Sequence, residues 1–118
     1  MQEKNEIKLE QRGEVVIMHI MGDITSSSEI PLKVFYGKTD DLNARKIVLK
    51  FDGDAYINSG GIALLIQMLY HIRENKQSAA IAGISKHFKK IFDMVGITKF
   101  AKIFDTVDDA LKDLSRLS

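Results

Sequence analysis

The sequence has no cysteine. That excludes a disulfide framework and a thiolate metal site, and it leaves packing to hold the fold. Net charge is also nearly absent. The 17 lysines and arginines against 16 aspartates and glutamates leave +1, so no bulk attraction toward nucleic acid or an anionic membrane is expected. No apolar run approaches the roughly 18 residues needed to cross a bilayer. The opening "MQEKNEIKLEQRGE" is polar from its first residue and unlike a signal peptide. Linkers, repeats and low-complexity tracts are missing too. What is present is an ordinary globular balance, 45% hydrophobic and 28% charged over 118 residues, enough chain for a hydrophobic core. The expectation is one domain over residues 1–118, soluble and cytoplasmic.

Short β-like runs alternate with helical ones. "IKLEQ", Gly13-Glu14 and "VVIMHIM" predict a hairpin. Its second strand is apolar on both faces, with Val15, Ile17, His19 and Met21 opposite Val16, Met18 and Ile20, as a strand covered on both sides requires. After "GDITSSSEIP" a helix is expected, capped by Ser28, with Glu29 and Pro31 in its first turn. Val34 and Phe35 should point inward, and Gly37 should weaken the helix by about 1 kcal/mol. "KIVLKF", residues 46–51, reads as a central strand. A helix after Ser59 carries Ile62, Leu65, Ile66, Leu69 and Ile72 on one face.

"SAAIAGI" suggests another buried strand. Phe88, Ile91, Phe92 and Val95 define a helix begun at Ser85 and stopped at Gly96. "FAKIF" is a last short strand. Thr106 caps a final helix with Val107, Ala110, Leu111, Leu114 and Leu117 inside, and with Asp108 and Asp109 at its positive end. The order β-β-α-β-α-β-α-β-α implies an α/β fold. Its sheet is mixed but mostly parallel, with an N-terminal antiparallel hairpin and about four covering helices.

One stretch asks for more. "YINSGGIALLIQML" puts a hydroxyl between an amide and two glycines where a strand hands over to a helix. Ser59 could simply cap that helix. Alternatively the glycines could bare the backbone so that a bulky partner reaches the hydroxyl, and the helix end would accommodate a phosphate there. Both readings stand on the residues alone.

Other chemistry is excluded or better explained otherwise. A hydrolase elbow needs glycine two residues before the serine, and Ile57 stands there. The three histidines, His19 mid-strand and His71 and His87 on helices, sit where histidine is usually a bystander. Neither a P-loop nor a dinucleotide fingerprint occurs. Asp52 and Asp54 in "FDGDAY" lack the further ligands of a calcium loop and fit turn chemistry. Lys86, Lys89, Lys90, Lys99 and Lys102 make the last third locally basic. Without interleaved aromatics they read as a solvated face. No catalytic residue, cofactor or metal is expected.

Three motifs, in order and spacing, carry a family resemblance over nearly the whole chain. They are "GDIT" after the second strand, "KIVLKF" leading through "YINSGGIALL", and "GISKHFKKIFDMVGITKFAKIF". The chain resembles the anti-sigma factor antagonist family, single STAS domains that regulate bacterial sigma factors by partner switching. In that family the serine after an acidic residue is the phosphoacceptor, and an ungapped alignment puts Ser59 there. The resemblance implies a cycle with two partners. An anti-sigma factor that is also a serine kinase binds the unphosphorylated form and uses ATP to modify it, and a serine phosphatase resets it.

Ser59 is therefore the expected phosphoacceptor. Asn58, Gly60, Gly61, Asp23, Thr25 and Ser26 are the expected contacts for the kinase-type partner, since the loop at 23–26 should lie beside the strand end bearing Ser59. Two positions depart from the family pattern. Asn58 and Thr25 both stand where it usually has aspartate, and each change removes a negative charge near the acceptor. Two alternatives follow: a STAS scaffold or sensor that is never phosphorylated, or a STAS domain binding a nucleotide or other small anion. Direct nucleic-acid or membrane binding is not expected, and weak self-association is compatible with either.

Overall fold

Alternating apolar residues on both faces of "VVIMHIM" demand cover on both sides, and the fold supplies it. A computed structural model describes residues 5–116. Strands β1 (Glu6–Arg12), β2 (Val15–Met21), β3 (Lys46–Phe51), β4 (Ser78–Ala82) and β5 (Lys102–Phe104) form one sheet in that spatial order. β1 runs antiparallel to β2, and every later pair is parallel. Gly13, at φ +61°, makes the hairpin turn that a side chain would strain.

The helices are α1 (Glu29–Asp41), α2 (Ser59–Glu74), α3 (Lys86–Met94) and α4 (Val107–Leu114), with short 3-10 turns at Ser26–Ser28 and Ile97–Lys99. Parallel neighbours joined in sequential order need crossovers of one hand, which places α1, α2 and α3 on the same face. There Val16, Met18 and Ile20 of β2 meet Leu32 of α1, Leu65 and Leu69 of α2, and Phe88 and Phe92 of α3 in the main core. Ile17 and Val48 point to the other face, where Ala110 and Leu114 of α4 pack on Ala80 and Ala82. The small alanines let α4 approach the sheet closely. Among the described residues no helix is long and apolar enough to cross a membrane.

Four expectations need correction. Val34 is 49% exposed, and the inner face of α1 is instead Leu32, Phe35, Tyr36 and Thr39. These four fall at i, i+3, i+4 and i+7, but two are polar, so a count of apolar residues missed the stripe. Their hydroxyls are satisfied: Thr39 Oγ1 donates to the Tyr36 carbonyl at 2.6 Å, and Tyr36 donates to Gln77 at 2.9 Å while accepting from Asn75. Ser28 is the residue before α1 but makes no side-chain cap, because its hydroxyl turns back to accept from the Thr25 N–H at 3.0 Å. Val95 lies past the end of α3 and is 45% exposed. Finally, Phe100 and Ala101 follow a 3-10 turn and precede β5 rather than belonging to it. Leu117, expected on the inner face of α4, lies outside the described residues.

Candidate functional site at the start of the second helix

The site forms where the chain leaves two neighbouring parallel strands. Beyond β2, Ile24 continues the pairing through an isolated parallel bridge to Ile57. Its N–H donates to the Tyr56 carbonyl at 2.9 Å, and its carbonyl accepts from the Asn58 N–H at 3.1 Å. Carboxylates complete the closure. Asp23 Oδ1 accepts from the Tyr56 N–H at 2.9 Å, and Asp52 Oδ2 from the Gly22 N–H at 3.1 Å. Asp52 thus serves the turn. Loop 23–26 therefore lies against the start of α2.

Asn58, in extended backbone at φ −87°, is the N-cap of α2, and its Oδ1 accepts from the Gly61 N–H at 2.8 Å. That frees Ser59. It is the first residue of the helix, it is exposed, and its hydroxyl has no hydrogen-bond partner among the described residues. The N–H groups of Ser59 and Gly60 likewise have no backbone acceptor there. Two donors and the positive end of a sixteen-residue helix thus converge beside a free hydroxyl.

Both glycines face the neighbouring loop, Gly60 toward Ser26 and Gly61 toward the buried Ile24. A Cβ on Gly61 would stand 2.2 Å from the Ile24 carbonyl oxygen and 2.6 Å from its carbon. Gly61 is buried, so its missing side chain answers an internal demand for close backbone approach. A Cβ on Gly60 would lie 3.2 Å from Ser26 Cβ, which is tight but less so. The glycines expose Ser59 indirectly, by letting the 23–26 loop and the helix start nest together.

Thr25 and Ser26 fall beside this point. Thr25 caps the Ser26–Ser28 turn, its Oγ1 accepting from the Ser27 N–H at 3.2 Å. Asn58 and Thr25 therefore hold equivalent posts, each an N-cap, and side chains of aspartate, asparagine, serine and threonine all serve there. Neutral residues keep the local geometry at both places while leaving out two charges. Of the expected contacts, Asp23, Ser26 and Ser59 are exposed, Asn58, Thr25 and Gly60 half-buried, and Gly61 buried.

Sequence reasoning missed Tyr56. It is 59% exposed, and its ring meets Phe88 edge to face at 6.0 Å. Its position just before the buried Ile57 in an extended segment was the available signal. Among the described residues no three His, Asp or Glu side chains gather to hold a metal.

Known proteins share this fold. The STAS domain family model matches residues 6–110. A candidate anti-sigma factor antagonist from Thermotoga maritima, TM1081, superposes with a TM-score of 0.79 at 17% identity, covering 93% of this chain and 95% of that one. An anti-sigma factor antagonist from Mycobacterium paratuberculosis gives 0.77 at 16%, covering 92% of each chain. SpoIIAA of Bacillus is similar in its unphosphorylated form, at 0.68 and 13% with coverage of 96% and 100%. Its phosphorylated form gives 0.65 and 14%, with coverage of 92% and 99%. At such identities the structural likeness is one of fold, whereas the family match spans most of the sequence. The chain belongs to the STAS domain family.

Proposed function

We propose that this protein is an anti-sigma factor antagonist, a cytoplasmic binding module rather than an enzyme, switched by phosphorylation of Ser59. An anti-sigma factor that is also a serine kinase binds the free form. The γ-phosphoryl of ATP passes to Ser59 Oγ, ADP leaves, and the hydroxyl proton goes to a base of the kinase. The complex then separates, and a serine phosphatase hydrolyses the phosphoester to restore the hydroxyl.

The observation that carries this reading is the free hydroxyl of Ser59, exposed at the helix start because Asn58 does the capping. Phosphate there affects two partners in opposite ways. It adds about −1.5 to −2 charges. The module itself tolerates them, since the free amides and helix dipole stabilise an anion by roughly 0.3–1 kcal/mol. A partner packed over the site must desolvate the same charge and is repelled. SpoIIAA, a protein of this fold, is known in an unphosphorylated and a phosphorylated form, which supports the reading.

The test is titration calorimetry against the anti-sigma kinase encoded in the same genome. Ser59→Ala should bind as the parent does, and Ser59→Asp at least about tenfold more weakly. Equal affinity for Ser59→Asp contradicts the switch. The free Ser59 and Gly60 amides also favour a second reading, a small anion held at the helix start. A rise in melting temperature on adding nucleotide without any kinase selects that reading instead.

A further inference from the structure

The far edge of the sheet, separated from Ser59 by β4, carries a second candidate surface. β5 is the last strand, so among the described residues one of its sides has no paired neighbour. The Phe104 carbonyl accepts from Gly83 N–H, on the β4 side. Bonding alternates along a parallel ladder, which turns the N–H and carbonyl of Ile103 toward the open side. α3 and α4 stand on opposite faces of the sheet, and grooves of about 720 and 400 Å³ run along the strand beside each of them. Together they make a slot floored by the half-buried Ile103 and Phe104.

The walls differ in charge. Lys86, Lys89 and Lys90 of α3 line one groove with Lys102, against a single carboxylate, Asp93. Lys89 is paired with Asp105 and Lys102 with Asp113, each at 3.5 Å. Lys86 and Lys90 are exposed and have no ion-pair partner among the described residues. The α4 wall mixes Asp109 and Asp113 with Lys112 and Arg116 and so favours neither sign.

These charges decide what can occupy the slot. A second copy of this chain, pairing β5 with β5 about a two-fold axis, would extend the sheet with like faces together and set one α3 lysine row beside the other. That repulsion disfavours self-pairing. We propose that the slot binds an extended acidic segment of a partner protein, added as a sixth strand, with carboxylates alternating toward α3 and apolar side chains toward Phe104. Short edges bearing lysine also guard a sheet against aggregation, and an acidic strand is the occupant that such a guard admits.

The test is a nitrogen-15 NMR titration of the full chain with a short blocked peptide alternating glutamate and valine. The same peptide with every second amide N-methylated, made in both registers, is the control. The expected result is a saturable shift of the Ile103 amide, lost with one N-methylated register. Lys86→Glu/Lys90→Glu should weaken binding about tenfold. An unmoved Ile103 amide overturns the proposal. So does equal binding by both N-methylated peptides, which would mean diffuse charge attraction. Binding of phosphatidylglycerol vesicles or oligodeoxythymidine that needs Lys86 and Lys90, without peptide binding, also overturns it. Should the charge-reversed variant fail to fold, the N-methylated peptides on the unaltered chain decide.

Discussion

Replacing Gly61 by alanine should destabilise the protein far more than the same change at Gly60. In a helix alanine is favoured over glycine by up to about 1 kcal/mol, so propensity alone predicts that both variants gain stability. The contacts reverse this at Gly61. The new Cβ would meet the Ile24 carbonyl oxygen at 2.2 Å, its carbon at 2.6 Å and its Cγ2 at 3.0 Å. Carbon and oxygen in contact need roughly 1 Å more than that, and both partners are backbone, which cannot rotate away. The start of α2 must lift off the strand end. That movement strains the Asn58 N–H bond to Ile24 and the Ile24 N–H bond to Tyr56, besides the packing of Ile57. Overpacking together with one compromised buried hydrogen bond costs about 2–4 kcal/mol. At Gly60 the nearest atom is Ser26 Cβ at 3.2 Å, and a small shift of an exposed turn offsets the propensity gain, leaving a net change within about 1 kcal/mol. Urea unfolding of the two variants and the parent gives both values from midpoints at constant slope. If Gly61→Ala unfolds at the parental midpoint, the close-approach argument is refuted, and the glycine is there for access.

Further predictions follow from the same geometry. Asn58→Ala should lose about 1 kcal/mol by removing the cap, whereas Asn58→Asp should keep it and match or exceed the parent at neutral pH; equal losses in thermal melts contradict this. Leu32→Ala should cost about 2–5 kcal/mol and Val34→Ala less than about 0.5 kcal/mol, and urea midpoints in the reverse order would restore Val34 to the core. Lys46 Nζ donates to Glu14 Oε1 at 2.8 Å, and this hydrogen bond, helped by the charge of the ammonium, holds the Glu14 carboxyl below its ordinary pKa. A lowered folded-state pKa adds stability above the unfolded value and loses it as pH falls through the folded one. Glu14→Gln should therefore flatten the acid limb of urea midpoint against pH, and an unchanged limb contradicts the linkage.

The succession of elements, the hairpin and the helices α2, α3 and α4 were legible because each rests on a strong period or a cap followed by an apolar stripe. α1 shows the limit. Tyr36 and Thr39 face inward through hydroxyls whose partners lie partly on distant residues, Gln77 and Asn75, and no local pattern reveals such a pairing. Ser28 misled for a related reason. Three serines in a row each qualify as a cap, and the 3-10 turn chose Thr25. At the site, the position of Ser59 at a helix start was readable from the pattern, and the proximity of the 23–26 loop followed from the expected fold. The purpose of the glycines was not, since the atom that Gly61 must avoid belongs to Ile24, more than thirty residues earlier. In sequence, Asn58 and Thr25 read only as the loss of two negative charges near the acceptor, compatible with a switch or with an unphosphorylated scaffold. In three dimensions both posts are N-caps, and asparagine and threonine each make the capping bond there.

The central claim is that the hydroxyl left free by Asn58 is the one that is phosphorylated. The direct measurement is the intact mass of the protein after incubation with ATP and the anti-sigma kinase from its own genome, with Ser59→Ala in parallel. The account predicts one added phosphate on the parent chain and none on the variant. A phosphate that persists in Ser59→Ala, or a parent chain that binds the kinase tightly and gains no mass, contradicts it.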